Sequence, residues 1–155
     1  MKRDSMAVFM PETAVLDQDL IAAYRATDYV LFVAEGEEVT LNIGLPNPVF
    51  DRVLDRRGAA TAVVVTAYNP RSVVLSDAEN RSRHRELTAL LDERGHDYAL
   101  GEGRDPTGAW KAELECVVFG IPVETGLELA RRFAQNAIVF VTKGGVPELA
   151  YPELD

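Results

Sequence analysis

The chain has 155 residues, which is enough for one domain with a real core and too few for two comfortable ones. Its hydrophobic fraction of 47% and charged fraction of 26% are those of an ordinary globular protein. The formal net charge of -9 argues against general binding to nucleic acid or to an anionic membrane, since phosphates would be repelled at long range.

Several kinds of site are disfavoured by the composition. The single cysteine, Cys116, excludes an internal disulfide and is interpreted as a small core residue within an apolar strand. The two histidines, His84 and His96, lack metal-ligand spacing, so neither a metal nor a cofactor is predicted. No segment is long and apolar enough to span a bilayer, and the first apolar run is too short for a secretory signal. A cytoplasmic protein is therefore expected.

The spacing of hydrophobic residues predicts where the folded domain begins and which elements it contains. Residues 1–13 are expected to be a loosely held terminus, and residues 14–155 a single domain. The predicted elements before residue 76 are a helix over 15–26, strands over 29–33 and 39–43, a helix over 47–58 and a strand over 62–65. Those after it are a helix over 76–95, strands over 97–100 and 110–119, a helix over 123–134 and a strand over 137–141.

The order helix, strand, strand, helix, strand thus occurs twice. Gly44-Leu45-Pro46 resembles Gly120-Ile121-Pro122, and the apolar strand that follows each of them ends in threonine after the same number of positions. These features predict an α+β or α/β domain with a mixed central sheet of about six strands and about four helices. An internal duplication, with halves at 14–75 and 76–150, is one explanation, and chance similarity is the other. Halves packed side by side would leave a groove between them.

The stretch from the central strand into the next helix carries the first polar cluster. An unbroken run of valines predicts a strand covered on both faces. Asn69-Pro70 then predicts a turn, because proline fixes its own φ and keeps Asn69 out of the helical region. Asn69, Arg71 and Ser72 are therefore expected on a loop at the carboxyl end of this strand, where ligands bind in open α/β sheets.

The helix after this loop has strong start and stop signals. Ser76 and Glu79 form a capping box, and Gly95 ends the helix. Its apolar stripe, traced back toward the loop, continues through His84 or Arg83 and then Asn80. Of these, Asn80 and Arg83 are the candidate site residues. Two interpretations are open: these side chains fix the loop by hydrogen bonds to its backbone, or they line a pocket.

Glu113 and Glu115 are two residues apart on a predicted strand and so share a face. Paired carboxylates can raise one another's pKa and serve acid–base chemistry, which makes Glu113 the candidate catalytic residue. Alternatively, the two residues belong to the solvated face of an edge strand, or Glu113 pairs with Arg83. Gln135 is interpreted either as a backbone cap or as a pocket residue.

Familiar nucleotide-binding and nucleophile motifs do not occur in the sequence. The first turn of the helix after Ser76 contains Asp77 and Glu79, which would repel a phosphate. Loop amides near Ser72 and the guanidiniums of Arg71 and Arg83 are the candidate anion ligands.

One resemblance accompanies these residues. The string Thr66-Ala67-Tyr68-Asn69-Pro70-Arg71-Ser72, followed by Asn80 and Arg83, resembles a bacterial family known only as a domain of unknown function. The resemblance extends over most of residues 20–150. Its further positions are Tyr24, Thr27, Tyr29, Trp110, Glu113 and the segment from Leu129 to Gln135. It implies that these polar residues form one recurring pattern, and it implies no particular chemistry.

Two functions are consistent with these features. The first is a small-molecule site for a nucleotide or another anion, with Glu113 as the general base if the protein is an enzyme. Its ligand-binding residues would be Asn69, Arg71, Ser72, Asn80, Arg83 and Gln135. The second is a non-catalytic, acidic interaction or inhibitor protein, similar to immunity proteins, that shields a basic partner.

Overall fold

The structure is a computed structural model that describes residues 18–152. The expected terminus over residues 1–13 and the start of the first predicted helix lie outside the described residues. Within 18–152 the helices are α1 (Gln18–Ala26), α2 (Pro48–Arg57), α3 (Asp77–Arg94) and α4 (Val123–Arg132), with a 3-10 turn at Pro70–Ser72. The strands are β1 (Asp28–Ala34), β2 (Glu37–Leu41), β3 (Thr61–Thr66), β4 (Asp97–Arg104), β5 (Glu113–Phe119), β6 (Ile138–Thr142) and β7 (Glu148–Ala150).

The seven strands described form one sheet in the order β2-β1-β4-β5-β3-β6-β7. The expected α+β fold with four helices is confirmed. Two details differ from the expectation, because the sheet has seven strands and every neighbouring pair among them is antiparallel rather than mixed. Hydrophobic periodicity locates strands but does not give their direction, which depends on how the chain returns between them.

The repeated order of elements is present, but the two copies do not pack alike. Strands from the two halves interleave, since β1 pairs with β4 and β3 pairs with both β5 and β6. The sheet has an α2 face, where Phe50 and Leu54 of α2 pack with Val64. It also has an α3–α4 face, where Leu87 of α3 and Leu129 of α4 are buried on one core. Strands from residues 14–75 and 76–150 are thus interleaved in one sheet among the described residues.

The local signals for helix ends are confirmed. Ser76 caps α3 with a complete capping box, and Gly95 ends it at a φ of 74°. Asn47 caps α2 by accepting a hydrogen bond from the amide of Phe50 at 3.0 Å. Gly58 ends α2 at a φ of 64°. These caps fix where the loops between helices and sheet begin.

The strand predicted over residues 97–100 continues to Arg104 in the structure. Gly101 and Gly103 belong to β4, which pairs with β1 on one side and β5 on the other. A Cβ at Gly101 would lie 2.2 Å from the carbonyl oxygen of Val30, a distance that no side chain could occupy. Glycine here permits a close approach between two strand backbones.

Candidate functional site

A cavity of about 400 Å³ lies on the α2 face of the sheet, at the end that α1 covers. Its apolar wall includes Val64 of β3 and Val139 of β6, and α1 contributes Leu20 and Ala23. A volume of this size is in the range that small organic ligands occupy. Its polar lining residues include Tyr24, Thr27, Tyr29, Asn69, Ser72, Asn80, Glu113, Glu115 and Gln135.

The loop after β3 supplies one wall of this cavity and has an unusual backbone. Asn69, Arg71 and Ser72 have φ values of 46°, 52° and 63°, in the left-handed region that residues other than glycine seldom adopt. Such conformations persist only where the surroundings hold them. Asn80 does so, because its Oδ1 accepts from the main-chain amide of Asn69 at 2.8 Å and its Nδ2 donates to Asn69 Oδ1 at 2.8 Å.

Asn80 therefore satisfies both interpretations that the sequence left open. It fixes the backbone of the loop, and it also lines the cavity with only 4% of its surface exposed. Gln135 is similar: its Nε2 donates to the carbonyl oxygens of Tyr68 at 3.0 Å and Phe133 at 3.2 Å, while the residue lines the cavity. Ser72 also lines the cavity, and its Oγ accepts from Asn136 Nδ2 at 3.1 Å.

The two arginines of the predicted site have different surroundings. Arg83 donates from Nε to the carbonyl oxygen of Ala67 at 2.6 Å, and from Nη2 to the carbonyl oxygen of Phe133. Arg71 is exposed and donates from Nη1 to the carbonyl oxygen of Gln135 at 3.3 Å. Neither residue is among the described residues that line the cavity. Arg83 thus fixes the loop, and the pairing of Arg83 with Glu113 that the sequence also allowed does not form.

Glu113 begins a central strand, so the edge-strand interpretation is wrong. β5 lies between β4 and β3, and Glu113 shares the α2 face with Glu115 and Val117. Asn69 Nδ2 donates to Glu113 Oε2 at 2.8 Å. Burial raises the pKa of the Glu113 carboxyl, and the hydrogen bond from Asn69 opposes that rise by stabilising the carboxylate. The result is a half-buried acid with a fixed orientation, at the wall of the cavity.

Glu115 is a second functional candidate. The sequence places it on the same strand face as Glu113, but it was not among the predicted site residues. It is 4% exposed, and its Oε1 has no hydrogen-bond partner among the described residues. Burial first, and then the negative charges of Glu113 and Glu102, raise the pKa of Glu115 well above its ordinary value. A Cβ at Gly103 would lie 3.4 Å from Glu115 Oε2, an ordinary van der Waals contact, so Gly103 lies directly beside the carboxyl.

Three residues at the start of the described chain complete the polar lining. Thr27 Oγ1 donates to the carbonyl oxygen of Ala23 at 2.7 Å, and the Tyr29 hydroxyl donates to the carbonyl oxygen of Tyr24 at 2.7 Å. Burial raises the pKa of Tyr29, as does the nearby Glu115. The sequence named Tyr24, Thr27 and Tyr29 only through the resemblance; no local motif marks them as site residues.

The charge of the cavity is negative. Within residues 18–152, its charged lining residues are Asp77, Lys111, Glu113 and Glu115. Lys111 Nζ lies 3.2 Å from Asp77 Oδ2, and both side chains are largely exposed. The buried part of the cavity therefore holds two carboxyl groups, for which the described residues provide no cationic partner.

Comparisons with known proteins give a family without a function. Residues 65–138 match the model of a family described as a protein of unknown function, DUF3293, which confirms the expected resemblance to such a family. The matched segment contains Asn69, Asn80, Glu113, Glu115 and Gln135. No curated protein and no solved structure matches the chain. Among the helices of residues 18–152, none has the length and hydropathy needed to cross a membrane.

Proposed function

We propose that the protein binds a small organic molecule in the cavity between α1 and the α2 face, and that Glu113 exchanges a proton with that molecule. The observation that carries this proposal is that Glu113 and Glu115 of β5 and Asn80 of α3 line one cavity of about 400 Å³. A largely apolar cavity with a few convergent polar groups is the usual form of a ligand site.

The two carboxyls are suited to different roles. Asn69 donates to Glu113 at 2.8 Å and favours its carboxylate form, which can accept a proton. Glu115 is buried without such a donor, and its raised pKa favours the neutral acid. Two acids whose surroundings separate their pKa values are a common arrangement for acid–base chemistry. Glu113 is therefore the proposed catalytic residue, and Glu115 a ligand-binding residue.

The remaining predicted site residues divide into two groups under this proposal. Asn69, Ser72, Asn80 and Gln135 line the cavity and are kept as ligand-binding residues. Arg71 and Arg83 donate to main-chain carbonyls outside its described lining and serve to hold the loop. Without these guanidiniums, Lys111 is the one cationic residue of the described lining, and it is paired with Asp77. A nucleotide or other anion is therefore not the ligand that we propose.

A screen of small molecules by thermal shift tests the proposal. A ligand of the folded state raises the melting temperature by mass action, and that rise should depend on its concentration. Val139→Phe, which would fill the apolar wall of the cavity, should abolish the shift, whereas Val49→Phe on the exposed side of α2 should leave it intact. A shift that survives in Val139→Phe would place the ligand elsewhere and refute the proposed site.

The alternative is an acidic, non-catalytic interaction protein. The net charge of -9 favours it, as do Val73 and Val74 beside the cavity, which are 60% and 83% exposed. A basic partner captured by the parent protein but not by a Val73→Ser, Val74→Ser variant would support this function. In either case a cytoplasmic location is part of the proposal.

A further inference from the structure

The described lining of the cavity is acidic and aromatic, and this combination limits the kind of ligand that it can hold. Glu113 and Glu115 form its buried charged end, while Lys111 lies at its exposed side and is paired with Asp77. A buried anionic ligand would meet two carboxyl groups and no buried cation among residues 18–152. A cationic ligand would meet two carboxyl groups, each of which becomes its counter-ion when it ionises.

The buried oxygen of Glu115 gives an independent indication of a ligand. Only 4% of the surface of Glu115 is exposed, and the residue lines the cavity. Its Oε1 has no hydrogen-bond partner among the described residues. A buried polar atom without a partner is rare in native proteins. A donor on a bound molecule would satisfy it, and a positively charged N–H donor would also offset the negative charge.

The aromatic side chains around the carboxyls point to the same class of ligand. Tyr24, Tyr29, Tyr68 and Trp110 line the cavity. The face of an aromatic ring is negative and attracts organic cations, most strongly when water is excluded. The apolar wall provided by Val64 and Val139 suits the uncharged part of the same molecule.

We infer that the ligand is an organic cation, an amine or amidine on an apolar frame, whose charged nitrogen lies between Glu113 and Glu115. This inference rests on the small-molecule function proposed above and adds the charge of the ligand to it. The titratable groups that interact with Glu115 are Glu113 and Cys116 on its own strand, Glu102 on β4 and Tyr29 on β1. Tyr24 on α1 interacts with Glu113. A bound cation stabilises the charged form of both carboxyls, so binding releases protons to the solvent.

Matched probes test the sign of the charge. Each of three frames, benzyl, cyclohexylmethyl and naphthylmethyl, is tested as its amine, its alcohol and its carboxylate. Trp110 is the single tryptophan of the chain and lines the cavity, so its fluorescence reports binding there. The amine should bind about tenfold more tightly than the alcohol on the same frame, and the carboxylate should bind least. Calorimetry in two buffers with different heats of ionisation should detect proton release with the amines only.

Two variants make the result specific to the carboxyls. Glu115→Gln should weaken the amines about tenfold and leave the alcohols unchanged, because it removes a charge but keeps the shape of the side chain. Glu124→Gln, on the exposed start of α4, should change neither. If alcohols or carboxylates bind as tightly as the amines, the inference about charge is wrong while the small-molecule function stands. If no probe of any charge binds, both are wrong.

Discussion

Asn69 and Asn80 are joined by two hydrogen bonds that run in opposite directions between the loop and α3. Asn69 Oδ1 also accepts from the amide of Leu75 at 3.0 Å. With its side-chain oxygen engaged in this way, Asn69 can direct only its Nδ2 toward Glu113, to which it donates at 2.8 Å. The conformation of the loop and the orientation of the proposed catalytic carboxyl are therefore set by the same pair.

We expect Asn80→Ala to lower the free energy of unfolding by about 1–3 kcal/mol, because the amide of Asn69 would lose its acceptor in a partly buried loop. Urea denaturation measures this loss. Arg85→Ala, at an exposed position of the same helix, is the matched control and should change stability by less than about 0.5 kcal/mol. Equal effects of the two substitutions would show that the Asn69–Asn80 pair does not hold the loop.

Glu115 should give the chain a distinctive dependence of stability on pH. Burial raises the pKa of Glu115 in the folded state, whereas the unfolded chain ionises near the ordinary value. Between these two pKa values the folded state holds the extra proton, so stability falls as the pH rises through that window. Glu115→Gln removes this loss and should match the parent near pH 4.

At neutral pH the same variant should exceed the parent in stability by about 1–3 kcal/mol, because only the parent must take up a proton or bury a charge when it folds. The measurement is the difference in unfolding free energy between variant and parent across the pH range. A difference that stays constant with pH would contradict a raised pKa for Glu115.

Arg83 should matter for stability more than Arg71, although both were expected to bind an anion. Lysine at position 83 has one donor nitrogen in place of the two guanidinium nitrogens that contact the carbonyl oxygens of Ala67 and Phe133. We expect Arg83→Lys to lose about 1–2 kcal/mol of unfolding free energy in chemical denaturation. Arg71→Lys, at an exposed side chain, should lose less than about 0.5 kcal/mol. A larger loss of stability in Arg71→Lys than in Arg83→Lys would contradict the role of Arg83 in holding the loop.

Gly101 and Gly103 should respond oppositely to the same added methyl group. At Gly101 the Cβ would meet the backbone oxygen of Val30 at 2.2 Å, so Gly101→Ala should separate β4 from β1 and prevent stable folding. At Gly103 the nearest atom is Glu115 Oε2 at 3.4 Å, an ordinary contact, so Gly103→Ala should fold. Circular dichroism and melting curves distinguish them. A stable Gly101→Ala variant would mean that the two strands can move apart.

The caps of α2 and α3 could be predicted because each depends on a few adjacent residues, such as Ser76 with Glu79 or Asn47 with Pro48. The direction and order of the strands could not. They depend on pairings between distant segments, such as β1 with β4, for which the sequence carries no local signal. The α+β class was therefore predictable, and the fully antiparallel sheet was not.

The candidate site was predictable in the same uneven way. The stripe of α3 identified Asn80 and Arg83 as residues directed toward the loop. It could not show that the longer arginine side chain donates to main-chain carbonyls and does not line the cavity. Alternation placed Glu113 and Glu115 on one face. Whether that face is solvated or buried depends on the strands at both sides, and here β4 and β3 enclose it.

The pairing of β1 with β4 also has a kinetic consequence. It joins Asp28 to Arg104, which are separated by about half of the chain, so its formation must overcome the entropy of closing a long loop. The cavity needs both strands, since Tyr29 comes from one and Gly103 from the other. We therefore expect ligand binding to appear only at the last stage of refolding, and a partly folded chain should not bind the ligand.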